Sequence, residues 1–150
     1  MNPFFELTAR DKLIEVLRWL GVLPAAFLGD TAVQFLFGGV VQLAGIGVGG
    51  PLGDLGFAHA LRVFLYYVPH KAVFVVAGAK IAPRYQWRTA IGLAGLGLLL
   101  SLMTHVVGQY VRGNSLGSTN YIHLLAETAG LVAGAAYIYW QGAARDLRTG

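Results

Sequence analysis

The sequence predicts an all-α membrane protein of four transmembrane helices, and three observations carry that prediction. Of 150 residues 56% are hydrophobic and only 12% charged, with a mean hydropathy of +0.61; soluble domains run at roughly 25% charged. Four apolar segments reach the roughly 20 residues that a helix needs to cross a hydrocarbon core about 30 Å thick. Lys and Arg, finally, fall almost entirely on one side of those segments.

Residues 1–19 are expected to form an interfacial amphipathic helix running into the first span. Glu6, Arg10, Asp11, Lys12, Glu15 and Arg18 interrupt any apolar run before Trp19, which argues against a cleavable signal peptide. Thr8 with Asp11 makes a helix start, and Leu13, Ile14, Leu17 and Leu20 recur on one face, the pattern of a helix lying in a membrane interface. The first span follows over 20–41, the second over 58–79, the third over 89–109 and the fourth over 121–140, in one membrane domain covering 1–150. Turn chemistry marks the connections: Gly45, Gly47, Gly49, Gly50, Pro51, Gly53 and Gly56 in the first, Pro83 in the second, and Gly113, Asn114, Ser115, Gly117, Ser118 and Asn120 in the third. Such short connections make consecutive helices antiparallel neighbours.

Arg10, Lys12 and Arg18 precede the first span, Lys80, Arg84 and Arg88 separate the second from the third, and Arg145 and Arg148 follow the fourth. Basic flanks are retained in the cytoplasm, so both termini are expected there. The net charge of +4 is explained by this sidedness and gives no reason to expect a nucleic-acid partner. Trp19, Trp87, Tyr85 and Trp140 are placed at the cytoplasmic interface, Tyr110 and Tyr121 at the outer one.

Small residues let membrane helices approach. Gly130 and Gly134 form a GxxxG pair flanked by Ala126, Ala129 and Ala133; Ala90, Ala94, Gly97, Ser101 and Gly108 share a face; Ala77, Gly78 and Ala79 cluster on span two. Each stripe suits an internal face or an interface with another subunit.

Ionisable groups within spans are costly and ask for partners. Asp30 and Lys71 lie about 10 and 9 residues from the cytoplasmic ends of their spans, roughly 15 and 14 Å deep, which predicts a midplane ion pair joined by Gln34. Toward the outer side, His105 and Glu127 lie roughly 8 to 9 Å in and share faces with small residues; with His123, His59 and Arg62 they form an expected outer polar cluster. For the midplane pair the alternatives are an ion pair that fixes helix register, a proton- or ion-coupling carboxylate, or one group snorkelling to the interface; for the outer cluster they are a structural network, a metal site, or ligand or proton handling. His and carboxylate groups suit Zn, Fe or Mn, yet no HExxH-type signature is present, and no metal is expected. His59 and His70 share a face through Tyr66 three turns apart, a weak spacing for bis-histidine haem, and Pro69 is expected to kink the helix beside His70. No cofactor is expected. Cysteine chemistry is excluded because the chain contains none, the Gly47–Gly50 run lacks the βαβ context of a nucleotide loop, and Ser101 with His105 lacks a nucleophile elbow.

At Val22 to Ala26 (VLPAA) and Phe74 to Pro83 (FVVAGAKIAP) the chain resembles small bacterial integral membrane proteins. The resemblance covers about the first 85 residues and implies the bacterial inner membrane; no activity comes with it. The short loops and several small-residue faces lead to the expectation of a non-catalytic accessory or assembly subunit, packed in the bilayer against other integral membrane subunits or itself. The alternative is a small homo-oligomeric ion- or proton-coupled transporter or channel using Asp30, Lys71 and Glu127.

Overall fold

A computed structural model describes residues 9–43, 56–111, 113 and 118–149. Every regular element among the described residues is helical: α1 spans Ala9–Leu43, α2 Gly56–Ile81, α3 Gln86–Val111 and α4 Ser118–Thr149. All four are long and apolar enough to cross a membrane, over Arg10–Val40, His59–Ile81, Gln86–Val111 and Tyr121–Ala144. The glycines of the first connection from Gly45 to Gly53, and Arg112, Asn114, Ser115 and Gly117 of the third, lie outside the described residues, as do Glu6 and Thr8.

Residues 9–43 are one unbroken helix that runs past Trp19 into the first span. Leu, Lys, Glu and Arg between Ala9 and Leu20 are good helix formers, and nothing among them stops propagation. Pro24, inside α1, removes one backbone hydrogen bond without ending the helix. The second helix likewise runs through Pro69. Within α3, Met103–Val107 form a π-helical turn carrying His105.

Pro83 ends α2, and the chain turns to α3 through Tyr85, which holds left-handed dihedrals (φ 54°, ψ 42°). The carbonyl of Tyr85 accepts from the amide of Thr89 at 3.0 Å.

Helix α2 is the hub, packing on α1, α3 and α4, while α4 also packs on α3 and the main neighbour of α1 is α2. Helices α1 and α2 run antiparallel. The Arg18 side chain donates to Ile81 O at 3.1 Å, Gly29 faces Val73 and Ala77, and Gly38 faces Tyr66. Helices α2 and α4 run parallel, in a register where Gly130 meets Val68 and Lys71, and Gly134 meets Ala72 and Val75. A Cβ added at Gly130 or Gly134 would lie 2.6 Å from the carbonyl oxygen of Val68 or Ala72 respectively. The GxxxG pair therefore serves an internal interface. Gly97 accommodates Leu131, and Gly78 accommodates Leu93 and Ala26.

The apolar core occupies the half of the fold nearer the Arg/Lys-rich end, with Val22, Ala26, Phe74, Ala79, Leu93, Leu131 and Ile138 buried together. At that end Glu15 meets Arg84 at 3.3 Å.

Candidate functional site

Beyond the apolar core the helix join turns polar. Asp30 on α1 is 8% exposed and His70 on α2 is 2% exposed. Their side chains meet at 2.6 Å, Nδ1 of His70 against Oδ1 of Asp30. With Asp30 as a carboxylate, which only accepts, Nδ1–H of His70 is the donor. The second carboxylate oxygen accepts from Nε2 of Gln34 at 3.1 Å, which lies one turn along on the same face.

This corrects the expected Asp30 and Lys71 ion pair. The depth is right but the direction is wrong: adjacent helical residues point about 100° apart. His70 takes the bearing toward α1, while Lys71, half-buried, lies with its Cβ beside Gly130 of α4. Gln34 does join Asp30.

The rings of Tyr66 and Tyr67 pack together against His70, with centroids 5.4 and 5.3 Å from it and 5.0 Å from each other. Tyr67 continues the string to α4, its ring 4.8 Å from that of His123. There four residues of the expected outer cluster, His59, His105, His123 and Glu127, come together. His123 lies 6.2 Å from His59 in a stacked arrangement and 6.1 Å from His105 edge-on. Nε2 of His105 lies 3.5 Å from Oε1 of Glu127, within ion-pair range and long for a hydrogen bond. Arg62, half-buried, follows His59 on α2.

All four histidines of the chain thus fall on one string from Asp30 to Glu127. Two carboxylate–imidazole pairs form its ends, and Tyr67 with His123 joins them through ring packing. Nε2 of His59, Nε2 of His70 and Oγ of Ser101 are buried without a protein partner, and groups of that kind call for a polar guest. The string is confined in depth. Asp30 and His70 lie 10 and 11 residues, about 15 to 16 Å, from the span ends at Val40 and His59; His105 and Glu127 lie 6 residues, about 9 Å, from those at Val111 and Tyr121. The polar string thus occupies the part of the fold away from the Arg/Lys-rich end and stops where the apolar core begins.

Tyr67 is the residue that sequence reasoning missed. Its spacing offers a signal: His59, Val63, Tyr67 and His70 follow one another at four, four and three residues and share a helix face. Among the described residues, no three His, Asp or Glu side chains converge as metal ligands. No family model, curated protein or solved structure matches this chain.

Proposed function

We propose that the chain is an accessory subunit of a larger membrane complex, in which it supplies a proton-accepting half-pathway that a partner completes. One observation carries this reading: the string of His, Asp, Glu and Tyr ends at Asp30 and His70, and the apolar core lies between that pair and the Arg/Lys-rich end. Intramembrane ionisable groups mark proton relays, and imidazole exchanges protons near neutral pH. A string that crosses only part of the bilayer accepts protons from one side and passes none through by itself.

The positive-inside rule puts the Arg/Lys-rich end in the cytoplasm, so the string opens outward and both termini are cytoplasmic, in a bacterial inner membrane. The 31 residues of the first span measure about 46 Å. That exceeds a hydrocarbon core of about 30 Å, so the first turns of α1, with Arg10, Lys12 and Arg18 beside Leu13, Ile14 and Leu17, rest in the headgroup layer. The partner seats on α1, whose main neighbour within the chain is α2 alone.

A self-contained transporter using Asp30, Lys71 and Glu127 is the second reading. The half-buried Lys71, next in sequence to His70, favours it by adding a cation at the depth where the string ends. Extraction from the native membrane in mild detergent, followed by native mass measurement and a vesicle proton-flux assay, separates the two. The accessory reading expects a stoichiometric complex with larger membrane subunits and no flux from the isolated chain. A bare homo-oligomer whose proton flux is abolished by Asp30→Asn would overturn it in favour of the transporter.

A further inference from the structure

We infer that the groove between α1 and α3 at the Arg/Lys-rich end is a binding site for one anionic phospholipid. The groove has a volume of about 390 Å³ and is lined by Trp19 and Val22 of α1 with Tyr85, Arg88, Gly92 and Leu96 on the α3 side. That volume falls within the roughly 300 to 1,000 Å³ of small-ligand sites.

The lining is ordered along the bilayer normal as an amphiphile is. At the mouth, the Arg88 guanidinium lies 5.1 Å from the centroid of the Tyr85 ring and 5.3 Å from that of Trp87, so two aromatic faces hold it at the interface. Leu96 lies eight residues further along α3, about 12 Å deeper, and the wall between is apolar save for Thr89. A phosphate on Arg88 and an acyl chain along Val22, Gly92 and Leu96 match that order.

Charge complementarity selects an anionic headgroup. Arg18, Lys80, Arg84 and Arg88 gather at this end, and Glu15 is committed to Arg84. Gly92 keeps the groove open: a Cβ there meets nothing within 4 Å, so the position has room for a side chain that only the guest would contest.

The test uses the full chain carrying Trp87→Phe, which keeps an aromatic face beside Arg88, and Trp140→Phe, so that Trp19 is the sole tryptophan reporter. It is reconstituted in phosphatidylcholine vesicles containing a minor fraction of acyl-brominated phosphatidylglycerol or, separately, acyl-brominated phosphatidylcholine. One basic residue near an anionic lipid is worth about 1 kcal/mol, about fivefold, so brominated phosphatidylglycerol is expected to quench Trp19 as if enriched about fivefold. Arg88→Gln should bring the two lipids to parity. Gly92→Leu should weaken quenching by both, whereas Gly95→Leu, on an exposed position outside the groove, should change nothing. Parity in the parent protein, a preference that survives Arg88→Gln, or quenching indifferent to Gly92→Leu would each overturn the proposal. Relief of quenching by millimolar inorganic phosphate would also overturn it, by showing a free anion as the occupant.

Discussion

Nδ1 of His70 lies 2.6 Å from the carboxylate of Asp30 on the neighbouring helix, both side chains being buried. Burying an acid away from water is costly, and the imidazole N–H and the Gln34 amide offset that cost by occupying both oxygens. The pair thereby fixes the register of α1 on α2.

Replacing His70 by Phe should therefore destabilise the fold by about 3 kcal/mol or more, since it leaves a buried carboxylate short of its main donor. A double-mutant cycle of Asp30→Asn with His70→Phe, measured by steric trapping in bicelles, should give a coupling of about 1.5 to 3 kcal/mol. Lys71→Met should be neutral or stabilising. A Lys71→Met cost equal to that of His70→Phe would restore the ion pair that depth alone suggests.

Glycine substitutions should sort by what the added Cβ meets. Gly130→Ala and Gly134→Ala drive a methyl against the backbone of α2, and should each cost about 1 to 3 kcal/mol by forcing the helices apart. Gly97→Ala meets the end of the Leu131 side chain, which can rotate, so its cost should be smaller. Gly92→Ala meets nothing and should gain up to about 1 kcal/mol from helix propensity. Denaturant titration of the four variants side by side checks the order.

The chain lacks cysteine, so single introduced thiols report access without background. His123→Cys and His59→Cys should react with a small membrane-impermeant thiosulfonate added from the outside, and Arg84→Cys only with reagent on the cytoplasmic side. Leu131→Cys and Ala79→Cys, in the apolar core, should resist from both sides. Labelling of His123→Cys from the cytoplasmic side would remove the half-pathway.

Tyr85 holds a left-handed conformation that costs a non-glycine residue roughly 1 to 2 kcal/mol. Tyr85→Gly should relieve that strain, worth up to about 1 kcal/mol, while giving up one of the two ring faces that hold Arg88. Thermal unfolding in detergent decides the sign, and an unchanged or lowered midpoint would assign the ring a compensating role.

The spans, their order and the sidedness of the basic residues are legible in the sequence because hydropathy and charge act on whole segments. Depth is legible too, since it needs only a residue count, and so Asp30 is expected opposite the middle of the second span. Direction is harder. His70 and Lys71 share a depth, and which of them faces α1 depends on helix rotation, set by Gly29 against Ala77 and by Gly130 against Val68. A GxxxG pair announces a close approach without naming the helix that approaches. His105 and Glu127, 3.5 Å apart, are easier to place, because their shared faces with small residues give a direction as well as a depth. The continuity of α1 past Trp19 is legible too, because the residues before it are helix formers and no breaker separates them from the first span.

Each acid of the polar string is matched inside its own helical hairpin: Asp30 with His70 between α1 and α2, Glu127 with His105 between α3 and α4. Membrane helices insert before they associate, so each carboxylate needs only the helix next to it in the chain to find its histidine. The two hairpins meet along the parallel seam where Gly130 and Gly134 pack on α2, and Tyr67 lies against His123 across the same pair of helices. A change that parts α4 from α2 should therefore break the string in its middle and leave both carboxylate–imidazole pairs in place.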